Sequence, residues 1–523
     1  MQRFLAGCAT RMLAGVLAVV PFAAGSAQTR AGGSQASRSA DAIVHELDGF
    51  IRQGMKDWEV PGLSIALVHN DSILLTRGYG VRRLGEPGAV DGQTLFGMMS
   101  TTKAMTSLAV AMLVDDGRLT WDDPVTKWVP EFQMPDPYVT RDLRVVDLLT
   151  HNTGLPNADL LWSRGDLGSE EIFRRMRLLT PAYPLRGGFV YHNVMYGLAG
   201  EVIARASGMS YGDFLRRRLF GPLGMSRTYP SYARMAAAGD PNVSSPHYRI
   251  HQTVQPIADE TVDTLASAGA IWSSAEDMAT WIRFLLDSAQ VAGRRLLSDS
   301  GYRMLFAPHA IIPADEFYPT MELTRPHWTT YGLGWFEQDY RGHFVAFHTG
   351  SLDGRTAIIG LLPDERVGVY VFGNLDHAEF RHAVMLKVFD LFLGGAPRDW
   401  NRELLALYAG RRARADSAQQ AAGQAPGTLA PASQAPANYA GKYVHPIWGD
   451  AEIALVGEGL QFQMGASPEL RGPMTHWNLD SWHVALGDGR SPPIVVQFIL
   501  DPDGRVAELR IPDVDGAVFR RVP

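Results

Sequence analysis

The sequence predicts a mixed α/β (α+β) domain, with an antiparallel sheet and a helical block, followed by a small all-β barrel domain. Two observations carry this prediction. Strand-like segments stand near both ends of a long first region with helical segments between them, and short alternating segments separated by Gly, Asp and Pro fill the last part. With 523 residues, 46% of them hydrophobic, the chain is long enough for one large and one smaller globular domain.

The N-terminus reads MQRFLAGCATRMLAGVLAVVPFAAGSAQTR, in which two arginines precede an apolar run and small residues follow it. This order is typical of a secretory signal peptide, which we assign to residues 1–27. The apolar run is shorter than the ~20 residues of a membrane-spanning helix, so we expect no stable membrane anchor after signal removal. The predicted location is secreted or periplasmic, and Cys8, the only cysteine, would leave with the signal peptide.

The large domain is predicted to span residues 41–400. Apolar residues recur at helical spacing over 41–56, and residues 63–80 read as two strands around a turn at 69–71. The segment 101–116 is apolar on nearly every face, which predicts a buried helix that ends near Gly117.

The middle of this domain is mainly helical in pattern. Ser273 and Glu276 have the spacing of a capping box at the start of one helix. Strand-like segments return over 343–374, and a last helix follows. We therefore expect the first and last strands to share one antiparallel sheet, with the helical block filling one side.

Beyond this domain the composition changes twice. Residues 410–438 are rich in Ala, Gln, Pro and Ser, which predicts a flexible linker. Residues 439–523 contain short alternating segments split by Gly, Asp and Pro, as in a small β-barrel.

The charge of the chain argues against nucleic acid as a partner. The formal net charge is −7, and basic residues form only small groups. We also expect no metal, because no cysteine remains after signal removal and the histidines lack the spacing of a zinc site.

The segment Ser100-Thr101-Thr102-Lys103 opens the predicted buried helix. Only five of the 48 basic residues are lysines, and an ammonium group, unlike a guanidinium group, can be tuned to lose its proton. Residues three apart share a helix face, so the amine of Lys103 can reach the hydroxyl of Ser100. A helix-capping serine followed by a solvent-facing lysine explains the pattern equally well when it is considered alone.

Two further motifs favour catalysis: Tyr191-His192-Asn193 and His348-Thr349-Gly350-Ser351. With the Ser-x-x-Lys segment, their order resembles that of the class C β-lactamases and the related serine penicillin-binding proteins, D-aminopeptidases and esterases. The resemblance covers roughly residues 41–395 and implies a DD-peptidase/β-lactamase-like fold. The C-terminal module resembles the lipocalin-like domain attached to some secreted members.

The resemblance implies a role for each motif. Ser100 would be the acylated nucleophile, with Lys103 and Tyr191 managing its proton. Asn193 would hydrogen-bond the amide side of the substrate, and the N–H groups of Ser100 and Ser351 would form the oxyanion hole. The remaining residues of the substrate-binding edge would be His348, Thr349 and Gly350, and no metal or organic cofactor would be needed.

Elementary electrostatics adds two expectations. An ammonium group at about 4 Å would lower the pKa of the Tyr191 phenol by about three units, toward 7. His348 stands where many members of these families have lysine, so we expect the charge of the pocket to depend on pH near neutrality. Without lysine at position 348 the pocket lacks a permanent cation for a substrate carboxylate. Either this histidine or His192 could redirect specificity toward esters or toward peptides with a D-residue at the amino end.

The other candidate residues have simpler explanations. We interpret His151 as a turn or supporting histidine and Asp353 as part of a turn between strands. Trp162, Trp272 and Trp335 are interpreted as core aromatic residues.

The predicted function is that of an exported serine hydrolase that acts on small-molecule or peptide substrates. D-amino-acid peptides are the first substrate class, followed by small esters and then β-lactams. The alternative is a penicillin-binding sensor, or a carboxypeptidase-like protein, that acylates without efficient turnover. The sequence leaves room for an oligomer formed through the C-terminal domain.

Overall fold

An antiparallel sheet of eight strands forms the centre of the large domain in the computed structural model. The strands are β1 (Gly62–His69), β2 (Ser72–Gly80), β3 (Ala310–Ile311), β4 (Thr329–Tyr331), β5 (Phe336–Tyr340), β6 (His343–Leu352), β7 (Arg355–Leu362) and β8 (Val367–Gly373). Their order across the sheet is β2-β1-β8-β7-β6-β5-β4-β3. Strands β1 and β8 pair with Ile65 opposite Val371, so the first and last long strands are neighbours, as predicted.

The structure describes residues 38–422, 429–487, 489–490, 492–514 and 516–523. The predicted signal peptide, residues 1–27, lies outside them. Residues Ser39–Pro523 form one compact unit. Within the described ranges, the structure contains no helix that is long and apolar enough to cross a membrane.

Helices surround the sheet and the site. They are α1 (Ala40–Asp57), α2 (Thr102–Asp115), α3 (Leu160–Ser163), α4 (Ser169–Arg175), α5 (Asn193–Ser207), α6 (Ala266–Gly269), α7 (Ala275–Leu286), α8 (Phe380–Leu393) and α9 (Trp400–Ala422). Shorter helices span Val125–Trp128, Pro137–Asp142, Tyr211–Leu215, Gly221–Leu223, Tyr232–Ala237, Asp299–Leu305, Met321–Thr324 and Pro436–Tyr439. Small two-stranded ribbons pair Phe96–Gly97 with Trp272–Ser273, His247–Ile250 with Thr253–Pro256, and Gln290–Val291 with Arg294–Arg295.

Both faces of the sheet are buried. Along β1, Ile65 and Leu67 belong to one hydrophobic cluster and Ala66 and Val68 to the other, as the alternation of side chains in a strand requires. Helices α1 and α8 cover the first face, whereas α7 and the helical block around α2 and α5 cover the second. The block therefore lies on one side, as expected, and the terminal helices cover the other.

The helix starts follow from local hydrogen bonding. The side chain of Ser39 caps α1 by accepting a hydrogen bond from the N–H of Ala42 at 3.2 Å. The predicted capping box at Ser273 and Glu276 is wrong by one residue, because Ser274 caps α7 and accepts a hydrogen bond from the N–H of Asp277. Ser273 instead continues the ribbon that pairs with Phe96.

The predicted linker also needs a correction. Its first part, through Ala422, is the C-terminal end of helix α9. Alanine, arginine and glutamine are all good helix formers, so this segment continues the helix that begins at Trp400. Residues 423–428 of the predicted linker lie outside the described residues.

The C-terminal domain is a closed barrel of eight antiparallel strands, as predicted. They are β9 (Gly441–His445), β10 (Gly449–Val456), β11 (Gly459–Met464), β12 (Arg471–Asn478), β13 (Ser481–Val484), β14 (Ile494–Leu500), β15 (Val506–Ile511) and β16 (Ala517–Arg521). Alternate residues such as Tyr443, Phe462, Phe498 and Phe519 are buried, which is the pattern of a small barrel filled by side chains.

Two arginines join the barrel to the large domain. Arg164, which follows α3, is buried, and its Nη1 donates hydrogen bonds to the carbonyl oxygens of Trp448 (2.7 Å) and Asp450 (3.0 Å). Arg490, between β13 and β14, donates from Nη1 to Asp353 (2.6 Å) and Glu260 (3.1 Å) of the large domain. The barrel is therefore attached by specific contacts near both Trp162 and Asp353.

Candidate active site

Ser100 lies in a 3₁₀ turn, Met99–Thr101, immediately before α2. The preceding residue, Met99, has a positive φ of 47°, which non-glycine residues seldom adopt. Such a conformation persists where the surrounding packing fixes it. Here Gly350 of β6 packs directly on the turn, since a Cβ at this position would lie 2.9 Å from the Ser100 nitrogen.

The amine of Lys103 reaches Ser100 across one turn of helix. Its Nζ lies 3.0 Å from Ser100 Oγ, 2.7 Å from Asn193 Oδ1 and 2.8 Å from the carbonyl oxygen of Ala268. These three acceptors match the three N–H bonds of an ammonium group. Burial of the side chain lowers the pKa of Lys103 to about 7, although the nearby carboxylate of Asp159 acts in the opposite direction. A large fraction of the amine is therefore neutral at neutral pH, and the neutral form can accept the proton of Ser100.

Tyr191 lies beside this pair, with the Lys103 nitrogen 4.9 Å from the centre of its ring. Burial raises the pKa of the phenol well above its ordinary value, although the Ser100 hydroxyl nearby opposes this shift. The expectation that Lys103 would lower the pKa of Tyr191 toward 7 is therefore wrong. The cause is desolvation, which disfavours the phenolate of Tyr191. It also disfavours the charged form of Lys103, which was expected to stabilise that phenolate. Within the described part of the chain, the phenol oxygen has no hydrogen-bond partner.

Asn193 begins helix α5 and connects Lys103 to a carboxylate. Its Oδ1 accepts the hydrogen bond from Lys103, and its Nδ2 donates to Asp159 Oδ2 at 2.9 Å. The Nε1 of Trp162 donates to the other oxygen of Asp159, also at 2.9 Å. Sequence reasoning missed Asp159, because an aspartate before a short helix is indistinguishable from an ordinary helix cap.

The end of strand β6 supplies the opposite wall. Ser351 lines the cleft, and its Oγ accepts a hydrogen bond from Arg381 Nη1 at 2.9 Å. Arg381 Nη1 also donates to the carbonyl oxygen of Gly350, while Thr349 is buried with its hydroxyl against that of Tyr318. The arginine and the tyrosine thus fix the backbone of this strand end.

His348 is fully buried, and both ring nitrogens are in hydrogen-bonding contact. Nε2 lies 2.9 Å from the Tyr331 hydroxyl and Nδ1 lies 2.6 Å from the carbonyl oxygen of Thr349. Burial, assisted by the nearby Lys103, lowers the pKa of His348 to about 3. The expectation of a charge that changes near neutral pH is therefore wrong, because this ring stays neutral there.

A small cleft lies beside Ser100. Ser100, Asn193 and Ser351 line it, whereas Lys103, Tyr191 and His348 are not among its lining residues. Much of the remaining wall is apolar and comes from the residues Met99, Trp162, Val262, Leu265, Ala268 and Leu352. Sequence reasoning missed the segment 262–269, which carries no recognisable motif.

The histidines next to Tyr191 are buried as well. The ring of His151 lies 4.1 Å from that of Tyr191, and its Nδ1 accepts a hydrogen bond from the N–H of His192 at 2.9 Å. Neither ring nitrogen of His192 has a partner in the described residues, and burial lowers the pKa of His192 to about 4. Burial also lowers the pKa of His151 well below its ordinary value, so both rings are neutral near pH 7, and neither lines the cleft.

The other candidates divide between the core and the site. Trp335 is fully buried, whereas Trp162 lines the cleft. Trp272 lies under the guanidinium of Arg355, 4.7 Å from ring centre to Cζ. Asp353 is in the turn between β6 and β7 and pairs with Arg490 of the barrel. In the described part of the chain, no group of His, Cys, Asp and Glu could hold a metal ion.

Comparison with known proteins identifies two matching families. The sequence model of the family described as Beta-lactamase matches residues 47–388, and that of a domain of unknown function, DUF3471, matches residues 426–521. Among curated relatives, unguisins hydrolase ungD' of Aspergillus campestris is 27% identical over 79% of this chain and 78% of its own. Protein flp of Staphylococcus aureus is 24% identical over 63% of each chain.

Solved structures show the same fold at low identity. The octameric penicillin-binding protein homologue from Pyrococcus abyssi superposes with a TM-score of 0.59 and 22% identity, over 90% of this chain and 98% of its own. A crystal structure of SurE with D-Leu superposes with a TM-score of 0.54 and 18% identity, over 92% of this chain and 100% of its own.

Proposed function

Because the chain belongs to the Beta-lactamase family, we propose that it is an exported serine hydrolase that forms an acyl-enzyme at Ser100. One observation carries this proposal: the buried amine of Lys103, with a pKa of about 7, lies 3.0 Å from the Ser100 hydroxyl. A serine hydroxyl is a weak nucleophile until an adjacent base takes its proton, and here the base is in hydrogen-bonding contact.

Acylation then proceeds in three proton transfers. Neutral Lys103 takes the proton of Ser100 as its Oγ attacks the substrate carbonyl carbon. The N–H groups of Ser100 and Ser351 stabilise the resulting oxyanion, a contribution of about 3–4 kcal/mol for each donor. Tyr191, protonated because its pKa is raised, donates a proton to the leaving group and regains one from Lys103. Water attacks the acyl-enzyme by the reverse route.

The preferred substrate class is that of D-amino-acid peptides, with small esters and β-lactams after them. The cleft favours an apolar side chain next to the scissile carbonyl, because Trp162, Val262 and Leu265 line it. His348 stays neutral, so it gives no cation for a substrate carboxylate. The name of one similar protein, unguisins hydrolase, agrees with a hydrolase. The structure of another, SurE with D-Leu, agrees with a D-amino-acid substrate.

Export is part of the proposal and depends on the sequence pattern of residues 1–27. Mass spectrometry of protein from the cell envelope or medium should find an N-terminus near residue 28.

Replacement of Ser100 by alanine is the test of the nucleophile. We expect Ser100→Ala to lower kcat/KM by at least ~10³-fold on every hydrolysed substrate, because no other group can form the acyl-enzyme. The panel contains D-alanine peptides with free and blocked amino ends, p-nitrophenyl acetate and a fluorescent penicillin. Stable penicillin labelling without turnover of any substrate would identify a sensor, and undiminished hydrolysis by Ser100→Ala would refute the proposal.

A further inference from the structure

A second cavity adjoins the cleft at Ser100. Met99, Val262, Gly269 and Leu352 line both it and the catalytic cleft. It has room for about one water-sized group, so a carbonyl oxygen of a substrate held at Ser100 can enter it from the cleft, whereas a whole side chain cannot. This shared wall places the cavity where the next unit of a substrate would lie.

The cavity contains a buried arginine with free donors. Arg355, on β7, is 1% exposed and lines the cavity. Its Nη2 donates to the Ser244 carbonyl oxygen at 3.1 Å and pairs with Asp259. Its Nε and Nη1 have no hydrogen-bond partner in the described part of the chain. A buried donor without an acceptor lowers the free energy of unfolding by roughly 1–3 kcal/mol. A ligand that accepts hydrogen bonds from these N–H groups would recover that free energy.

The charges around the cavity favour an uncharged acceptor. Asp259 balances Arg355, and Glu260 pairs with Arg490 of the barrel. The carboxylate of Asp263 also lines the cavity and accepts hydrogen bonds from the backbone N–H groups of Tyr232 and Ala233. These five side chains carry a net charge of −1, so a second carboxylate is disfavoured, whereas a neutral carbonyl oxygen can use the free donors.

We propose that Arg355 anchors a second substrate subsite, which takes an amide carbonyl oxygen of a peptide chain bound at Ser100. This inference rests on the proposed function, since it identifies the substrate as a peptide that extends beyond the scissile bond. Arg355 acts here as a binding residue, and Trp272 beneath its guanidinium holds it in position.

The test measures binding without turnover. In the Ser100→Ala protein, calorimetry compares acetyl-tetra-D-alanine amide with acetyl-D-alanine amide, which is too short to fill both cavities. Adding Arg355→Met should weaken binding of the long peptide at least tenfold more than binding of the short one. Arg355→Lys keeps a cation beside Asp259 but lacks Nε and Nη1, so it should also lose selectivity, even if Arg355→Met does not fold.

The matched control is Arg283→Met, which removes an exposed arginine on α7 that pairs with Asp71 and should leave both affinities unchanged. Equal weakening of both peptides by the Arg355 variants, or no preference of Ser100→Ala for the long peptide, would overturn the proposal. So would tighter binding of acetyl-tetra-D-alanine with a free carboxylate than of its amide. The nucleophile assignment fails separately, through undiminished hydrolysis by Ser100→Ala.

Discussion

At the scale of single residues, burial determines which groups of the site carry a proton at neutral pH. Desolvation favours the neutral form of each group, so it lowers the pKa of Lys103 and raises that of Tyr191. At neutral pH a neutral amine can therefore lie beside a protonated phenol. One accepts a proton and the other can donate one, which acyl transfer requires.

The pH profile of kcat/KM tests this assignment. We expect activity to rise with pH through about 7, as Lys103 loses its proton, since only the neutral amine accepts the proton of Ser100. His348→Asn should alter the level of activity but not the pH at which this rising limb of the profile lies, because His348 is already neutral with a pKa of about 3. A limb that moves or disappears in His348→Asn would assign it to the histidine.

Lys103 should also make stability depend on pH. Its pKa is about 7 in the folded protein and 10.5 as the ordinary value, so between these pH values the unfolded chain binds the additional proton. The free energy of unfolding contributed by this group therefore rises from pH 7 to pH 10.5 and is constant below. Urea unfolding of the wild type relative to Lys103→Met should show that rise, and parallel curves would contradict it.

At the scale of elements, the position of Ser100 depends on a close approach between strand β6 and the turn Met99–Thr101. A Cβ on Gly350 would lie 2.3 Å from the carbonyl oxygen of Met98 and 2.9 Å from the Cβ of Met99. The backbone cannot accommodate a Cβ at these distances unless the turn Met99–Thr101 moves. The glycine of the His-Thr-Gly motif is therefore required by packing.

Gly350→Ala should lower kcat/KM by about 100-fold or more, because a displacement near 1 Å of a reacting group has an effect of that size. The matched control is Gly49→Ala, since a Cβ at this exposed position in α1 meets nothing within 4 Å. That variant should keep full activity and gain about 0.5–1 kcal/mol of stability. Assays of activity and thermal unfolding on both variants decide the matter, and normal turnover by Gly350→Ala would contradict the packing argument.

At the scale of the whole molecule, the barrel supports the walls of the cleft. Arg164 holds it next to helix α3, which carries Trp162 and follows Asp159, while Arg490 holds it at Glu260 and Asp353. Both contacts adjoin residues that line the cleft. The barrel thus stabilises the shape of the substrate site from outside.

Arg164→Met should lower both the Tm and the kcat/KM for peptide substrates, the latter several-fold. The reason is that two carbonyl oxygens of the barrel, one buried and one partly buried, lose their donor. Arg174→Met is the control, since Arg174 forms an exposed pair with Glu171 on α4 and should change neither value appreciably. Calorimetric unfolding and steady-state kinetics of the two variants provide the comparison. Equal effects would show that the barrel contact has no special role.

Sequence patterns predicted those features that depend on local periodicity or on motif order. The strands around Asn70, the buried helix after Ser100 and the barrel are of this kind, and all three are present. Asp159 and Arg355 were not predicted, because their surroundings come from segments far apart in the chain. The direction of the Tyr191 pKa shift was wrong for the same reason, since burial is a property of the packed molecule.

The pairing of β1 with β8 also determines when the central sheet can be completed. Ile65 and its partner Val371 are separated by roughly 300 residues, so a ribosome working at about 5–20 residues per second needs roughly 15–60 s to deliver the second after the first. During that interval the N-terminal strand has no neighbour on one edge. A nascent chain therefore cannot complete the central sheet before more than two thirds of it has been synthesised.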